Sequence, residues 1–511
     1  MPVQKNRPCN ILLIMADQLA ASAIGAYGHP IVKTPNLDRL ANEGCLFEAA
    51  YCNSPLCGPS RCGMVAGRMP SAIGCYDNAN ELPASQPTFL HELRLAGYQT
   101  ILSGKMHFVG PDQLHGFEER LTTDIYPSGF DWTANWERGA YGNPGTCVER
   151  LDKSGPCAAS SQIDYDEEVL YQARQKLRDL ARREDPRPFF LCASFTHPHD
   201  LFHITPEYWA LYDEADIPPP AAPATPLDQM HPFNHWISIH HMIDRFPPSE
   251  RAVRRTRRAY YGMVSYFDHL VGRLIEDLER LGLCENTLIA VTSDHGEMLG
   301  EHGMWFKRTF FEDAMRVPLI WRGPGVAAGR RVAQVVSLLD LYPTLVDLAG
   351  PSGGRCAFEG AEGRSFRTLL NKRGRQWKDL AVGEYCGEGA IAPMRLLRKG
   401  PWKYVHVHGE APLLFHLADD PFEQRSRIGD PAVAPIEAAM REELLEGWDG
   451  EALRRRIIAD QRRRRLLHAA LTTGKATPWD FTPSFPGAER YVRRYNAQET
   501  TRRKLVRPAQ P

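Results

Sequence analysis

Residues 10–18 read Asn10-Ile11-Leu12-Leu13-Ile14-Met15-Ala16-Asp17-Gln18, an apolar run that ends in an acid and an amide. A run without polar alternation predicts a strand buried on both faces, as in a parallel sheet covered by helices. Residues 189–195 and 287–292 have the same form. Helical patterns at 37–44, 165–183 and 251–281 alternate with these runs, so the chain is predicted to be an α/β protein with a mixed, mostly parallel sheet sandwiched by helices.

The three predicted strands are each followed by residues that can carry chemistry. Because the carboxyl ends of parallel strands meet at one edge of a sheet, we expect these side chains to lie together. A helix N-cap is the alternative role for either acid taken alone. In chain order the residues are Asp17 with Gln18, then His197, and finally Asp294 with His295.

The overall composition is that of a globular protein. The chain has 511 residues, 43% of them hydrophobic, which excludes collagen, a coiled coil and a disordered chain. Its 12 cysteines include no CxxC pair, so we expect reduced thiols rather than a disulfide framework or a zinc site. No apolar run is long enough for a signal sequence or a membrane span, and we therefore expect a cytoplasmic protein without a membrane partner.

The net charge of −1 conceals an asymmetry along the chain. Residues 451–511 contain 15 Lys and Arg against 5 Asp and Glu, so a basic tail follows an acidic body. Opposite charges favour docking of the tail on a neighbouring body, and we expect a homo-oligomer, a dimer or a tetramer, assembled through the tail. A nucleic-acid partner is the alternative explanation of a basic segment, and we do not expect one.

Three units are predicted along the chain: a catalytic domain at 1–375, a C-terminal subdomain at 376–450, and a tail at 451–511. Short apolar runs at 394–397, 402–407 and 413–417 lie between Gly and Pro turns. They predict a small antiparallel sheet, expected to have four strands, followed by a helix at 435–447. The tail begins with an Arg-rich helix at 451–471 and continues as an extended segment.

The pentapeptide Cys57-Gly58-Pro59-Ser60-Arg61 has the form C-x-P-S-R. It resembles the recognition core of type I sulfatases, which belong to the alkaline phosphatase superfamily. The resemblance implies that a formylglycine-generating enzyme oxidises Cys57 to formylglycine, whose hydrated aldehyde attacks sulfur. It also implies one divalent cation, Ca or else Mn or Mg. The expected ligands are Asp17, Gln18, Cys57, Asp294 and His295.

Further matches assign catalytic roles. Gly104-Lys105-Met106-His107 resembles the family's G-K-x-H element, in which Lys105 would bind sulfate and His107 would help to expel it. By the same resemblance, His197 and Lys307 would bracket the leaving-group oxygen. Arg61 would support the nucleophile, and Asn78 would donate to the sulfate.

One subfamily is closer than the rest, because residues 103–127 resemble choline sulfatases almost residue for residue. The expected activity is hydrolysis of a small alkyl sulfate ester, with choline-O-sulfate as the first candidate. Quaternary ammonium groups are held by aromatic faces and a nearby carboxylate. Trp132 is the aromatic candidate, with an ordinary core tryptophan as the alternative. Glu499 stands where the subfamily has an Asp that reaches a neighbouring subunit, and residues 139–156 lack its Trp-rich insertion.

Two rival functions remain open. Phosphonate monoester and phosphodiester hydrolases on the same scaffold also combine C-x-P-S-R with an Asp-Gln and an Asp-His pair. A non-catalytic, basic-tailed nucleic-acid-binding protein is the rival of a different class; steeply salt-dependent binding without esterase activity would favour it.

Overall fold

The protein is described here by a computed structural model that covers residues 8–141, 143–182, 185–350, 356–371, 377–485 and 498. The strands are β1 (Asn10–Ala16), β2 (Cys45–Tyr51), β3 (Gln99–Gly104), β4 (Glu119–Arg120), β5 (Gly155–Pro156), β6 (Phe189–Ser194), β7 (His203–Ile204), β8 (Thr287–Ser293), β9 (Arg316–Val317), β10 (Leu319–Arg322), β11 (Arg330–Ser337), β12 (Leu380–Tyr385), β13 (Met394–Lys399), β14 (Trp402–Val407) and β15 (Leu413–His416).

The α-helices of the described residues are α1 (Pro35–Glu43), α2 (Cys57–Ala66), α3 (Pro70–Ile73), α4 (Phe89–Leu95), α5 (Ser161–Arg182), α6 (Pro206–Trp209), α7 (Pro232–His240), α8 (Glu250–Arg280), α9 (Glu312–Met315), α10 (Leu341–Ala349), α11 (Arg367–Leu370), α12 (Ala434–Leu445) and α13 (Gly450–Leu471). The helices predicted at 37–44 and 251–281 correspond to α1 and α8, and α5 begins four residues before the predicted start at 165.

The main sheet runs in the order β11-β2-β10-β8-β1-β6-β3-β4, with β9 also paired to β2. Strands β8, β1, β6, β3 and β4 are parallel, whereas β10 is antiparallel to both of its neighbours. Strand β1 lies between β6 and β8, and Leu12 is in register with Leu191 and Ile289. The predicted mixed, mostly parallel sheet is confirmed.

Strand β1 is buried on both faces, and its side chains alternate between two cores. Ile11, Leu13 and Met15 belong to one hydrophobic cluster, which includes residues of α2, α4 and α10. Leu12 and Ile14 belong to a second cluster, which includes residues of α5 and α8. The unbroken apolar run is explained by this arrangement, because each residue of β1 meets a helix layer on one side of the sheet or the other.

The C-terminal sheet is antiparallel, in the order β12-β13-β14-β15, which confirms the expected four strands. Its first strand, β12, falls outside the three apolar runs that predicted the sheet. Helix α12 packs against it through Met440 and Leu444. No described helix is both long enough and apolar enough to cross a membrane.

Several arginines of helix α13 pair with acids of the same chain. Arg464 is buried and donates to both carboxylate oxygens of Asp77, at 2.7 and 2.8 Å, and to Asp460 at 2.7 Å. Arg462 and Arg465 pair with Glu137. Asp77 and Glu137 belong to the body of the same chain, whereas Asp460 lies on α13 itself. This part of the tail therefore pairs with acids of its own chain.

Candidate active site

The carboxyl edge of the main sheet brings most of the predicted site residues together. Asp17 follows β1, Lys105 follows β3, and Asp294 and His295 follow β8. Cys57 is the first residue of α2, which begins at the same edge. These five residues are buried, with at most 1% of each exposed. These five residues, which lie up to 278 positions apart in the sequence, thus form one cluster.

Four of these side chains form a candidate metal centre. One ligand atom each from Asp17, Cys57, Asp294 and His295 lies within 4.8 Å of the others. His295 Nε2 is 3.1 Å from Cys57 Sγ and 3.7 Å from Asp17 Oδ1. His295 Nδ1 donates to the Gly296 carbonyl at 2.9 Å, so Nε2 is the ring nitrogen that faces the cluster. Two carboxylates and an imidazole suit a divalent cation, so the residues fit the metal that was expected.

Gln18, the remaining expected ligand, is engaged elsewhere. Its Oε1 accepts a hydrogen bond from Lys307, and its amide group donates to Glu297. Its backbone N–H donates to Asp294 Oδ1 at 3.1 Å. The side chain of Gln18 therefore links the cluster to Lys307, and its role as a metal ligand stays a prediction.

Arg61 holds the two acids in position. Its Nε donates to Asp294 at 2.7 Å, and its Nη2 lies 3.4 Å from Asp17. Its Nη1 donates to the Lys105 carbonyl at 2.7 Å and to the Ser194 hydroxyl at 2.8 Å. A fully buried guanidinium with these partners ties the ends of β1, β3, β6 and β8 to helix α2.

Cys57 lies in a strongly electropositive environment. Burial raises the pKa of its thiol, but Lys105, Lys307 and His295 outweigh this effect, so the pKa lies well below its usual value. The N-terminus of α2 adds positive potential at the same point. Asn78 Oδ1 accepts from the Gly58 N–H at 2.9 Å, so Nδ2 is the atom of this amide that can donate to a bound anion. The site is built to hold negative charge next to residue 57.

The two histidines after β6 lie in different places. His197, which was expected beside the leaving group, bonds Asp166 at 2.7 Å through Nδ1 and packs against Tyr266, and it does not line the cavity above Cys57. His199 does line that cavity, and its Nε2 is 2.6 Å from Lys307 Nζ. The expected His–Lys pair is therefore made by His199, two residues further along the chain.

A cavity of about 420 Å³ opens above Cys57. His107 lies in its wall, with Nε2 3.1 Å from the Asn78 carbonyl and the ring 5.5 Å from that of Tyr126. Trp132 is half-buried in the same wall, 5.3 Å from Tyr126 between ring centroids. Glu499 lies outside the described residues.

Several cavity residues were missed by the sequence analysis: Tyr126, His199, Arg308 and Glu388. Tyr126 lies in the stretch 103–127 that resembles choline sulfatases, and His199 lies two residues after His197, so the sequence did point to both neighbourhoods. Glu388 follows β12 in the C-terminal sheet, 331 positions from Cys57, and no motif marks it.

Comparisons with known proteins assign the class. The profile of the family described as Sulfatase matches residues 9–351, which is more than half of the chain. The chain belongs to the sulfatase family and is a sulfuric ester hydrolase. Sulfatases generally use a formylglycine and a divalent cation, and Cys57 with its neighbours provides a candidate position for both.

Finer comparisons point to one subgroup. A profile described as Choline sulfatase enzyme C terminal matches residues 455–503. The chain is 41% identical over 508 residues to the choline-sulfatase of Rhizobium meliloti (strain 1021), covering 96% of this chain and 97% of that protein. It is 29% identical over 450 residues to an arylsulfatase of Clostridium perfringens, covering 82% and 90%.

Solved structures confirm the alkaline-phosphatase-like fold. The phosphonate monoester hydrolase of Agrobacterium radiobacter superimposes with a TM-score of 0.68 at 26% identity, covering 88% of this chain and 96% of that one.

Proposed function

We propose that this protein hydrolyses choline-O-sulfate to choline and sulfate. The observation that carries the proposal is the composition of the cavity above Cys57. The buried cluster around Cys57 at the carboxyl edge of the main sheet is here called the sulfate end and consists of Asp17, Cys57, Arg61, Lys105, Asp294 and His295. Of the other residues that line the cavity with Cys57, we assign Trp132, Arg308 and Glu388 to the alcohol part of the substrate and call them the alcohol end.

The alcohol end suits a quaternary ammonium group. Glu388 is 1% exposed and lines the cavity, and its Oε2 has no hydrogen-bond partner among the described residues. Trp132 presents an aromatic ring in the lining of the same cavity. A cation that has lost its hydration shell is stabilised by such faces and by a buried carboxylate. The 41% identity with a choline-sulfatase supports the same substrate.

The sulfate end suits a transferring sulfuryl group. When present, the divalent cation would act as a Lewis acid at Asp17, residue 57, Asp294 and His295, and the formylglycine would supply the nucleophile at position 57. Lys105 would bind a sulfate oxygen, because its ammonium group already lies against Asp17 beside Cys57. Asn78 Nδ2 would donate to a second oxygen, and Arg61 would keep both acids in register.

Proton transfer falls to the histidines of the cavity wall. His199 and Lys307 form a hydrogen-bonded pair at 2.6 Å, and we propose that this pair protonates the departing alkoxide. His107 also lines the cavity, and its buried Nδ1 has no hydrogen-bond partner among the described residues. We propose that it accepts the proton whose loss releases sulfate from residue 57.

The test is a comparison of kcat/KM for choline-O-sulfate, an aryl sulfate and a phosphonate monoester, with mass spectrometry of the peptide that contains Cys57. We expect choline-O-sulfate to be the best of the three and residue 57 to be formylglycine in active enzyme. A fully unmodified thiol in active enzyme would refute the nucleophile.

Phosphonate monoester hydrolysis is the second candidate function. It is favoured by the structural similarity to the enzyme of Agrobacterium radiobacter. A kcat/KM for the phosphonate that exceeds the value for choline-O-sulfate by orders of magnitude would establish it in place of the first.

We also propose the finer assignments. The cation is calcium, or else manganese or magnesium, which metal analysis of the purified enzyme would identify.

The chain forms a cytoplasmic homo-oligomer through the tail at 451–511, with a catalytic domain at 1–375 and a subdomain at 376–450. The profile match at 455–503 supports a role for the tail, and light scattering of full-length and tail-truncated protein tests it.

A further inference from the structure

Arg308 lines the cavity but has no role in the hydrolysis proposed above. It is 4% exposed, and its Nε lies 3.7 Å from Glu388 Oε2. This distance allows attraction between the charges but is too long for a hydrogen bond. Among the described residues, neither of these two atoms has a hydrogen-bond partner, nor does Arg308 Nη1. Two opposite charges thus face each other at the alcohol end with open polar atoms.

The open donors of Arg308 distinguish it from a structural arginine. Arg61 is equally buried, yet its Nε and both terminal nitrogens lie within 3.5 Å of acceptors. Burial of polar groups without partners is costly, and a guanidinium with unfilled donors in a cavity wall indicates a place for a ligand.

The backbone directs Arg308 to this place. Its φ is +78°, in the left-handed region that residues other than glycine rarely adopt. Its N–H donates to the Pro55 carbonyl at 3.1 Å, which anchors the residue next to the loop before Cys57. Strained backbone of this kind occurs mainly at functional sites.

We propose that Arg308 sets the charge selectivity of the alcohol end by offsetting the carboxylate of Glu388. The inference rests on the proposed function, since it takes Glu388 as the carboxylate that meets the substrate's ammonium group. With both charges present, the field of Arg308 offsets that of Glu388. The enzyme then accepts uncharged small alkyl sulfates as well as cationic ones, and the open donors of Arg308 serve alcohols that carry an acceptor oxygen.

The test uses two substrates that differ only in charge. Neohexyl sulfate replaces the ammonium nitrogen of choline-O-sulfate with carbon, so the ratio of the two kcat/KM values isolates the effect of charge. A ratio measured on one preparation is also independent of the fraction of enzyme that is folded or carries formylglycine. The variants are Arg308→Met, which removes the charge, and Arg308→Lys, which keeps it.

The assays are run at about pH 9, because burial raises the pKa of Glu388 to about 7 and Arg308 lowers it, so that removing Arg308 raises it further. We expect Arg308→Met to raise the choline-to-neohexyl ratio by about tenfold or more, since a cation close to the substrate's ammonium is lost. Arg308→Lys should stay within about threefold of the wild type, because the charge is retained. In the double variant Arg308→Met/Glu388→Gln the gain over the wild type should disappear, because the anion that attracts the ammonium is lost together with the cation that repels it.

A ratio that is unchanged or lower in Arg308→Met would overturn the inference while leaving choline-O-sulfate hydrolysis intact. A wild type that fails to hydrolyse choline-O-sulfate, together with an Arg308→Met variant that does, would refute the proposed function and support the inference. Failure of both proteins to hydrolyse choline-O-sulfate would refute both.

Discussion

The sulfate end and the alcohol end of the cavity are built in different ways. At the sulfate end, side chains that follow three parallel strands are fully buried and bond one another, as Arg61 bonds Asp294. At the alcohol end, loops contribute a half-buried Trp132 and the open polar atoms of Arg308 and Glu388. The sulfate end therefore has little freedom to vary, whereas the alcohol end can change its preference without disturbing the chemistry.

The largest effect is expected at the sulfate end from Cys57→Ala. We expect kcat/KM to fall by about 10⁴-fold or more, because the nucleophile is lost and the other groups cannot replace it. Cys62→Ala is the matched control, since Cys62 is buried on the same helix outside the cavity. Equal losses in both variants would show that α2, and not residue 57, is what the substitution damages.

The second effect concerns the boundary between the two ends, where the leaving oxygen would lie. We expect His199→Asn to lower kcat/KM for an alkyl sulfate by about 100-fold, because alkoxides need a proton to depart. An aryl sulfate with an acidic leaving group should lose much less. His197→Leu removes the bond to Asp166 and should lower Tm without changing this dependence on the leaving group. A dependence on the leaving group in the His197 variant, and none in the His199 variant, would show that His197 is the proton donor.

The sulfate end was largely predictable from the sequence for a physical reason. Apolar runs buried on both faces mark parallel strands, and parallel strands present their carboxyl ends at one edge. Asp17, Asp294 and His295 follow such runs and do meet Cys57. Strands β1, β6 and β8 were predicted for the same reason, with boundaries within one or two residues of those in the structure.

The alcohol end and its boundary with the sulfate end were not predictable in the same way. His197 and His199 both follow β6, and only the turn between them decides which ring faces the cavity. Glu388 reaches the site because the loop after β12 packs beside Asn78, whose N–H donates to it at 3.2 Å. Such contacts between distant loops leave no periodic pattern in the sequence. Glu499 lies outside the described residues, so its assignment stays a prediction.

A smaller effect is expected from Trp132→Leu at the alcohol end. The loss of an aromatic face should raise KM for choline-O-sulfate by about tenfold and change kcat less, because the ring contacts the alcohol and not the sulfuryl group. Neohexyl sulfate should be affected less, since it carries no cation. Trp209→Leu is the control, because Trp209 is also half-buried but lies outside the cavity. A loss confined to kcat would argue for a structural role of Trp132.

The smallest expected effect is on pH dependence, and it follows from Glu388. Burial raises the pKa of this carboxyl to about 7, while Arg308 lowers it and Asp77 raises it. Below that pH the group is neutral and offers a cation no advantage; above it the group is an anion. We therefore expect the choline-to-neohexyl ratio of kcat/KM to rise by about fivefold between about pH 6 and about pH 9, a modest change because Arg308 offsets the charge. Titration at the sulfate end acts on both substrates and cancels in the ratio. In Glu388→Gln the ratio should be flat, and a rise that persists in this variant would assign the titration to another group.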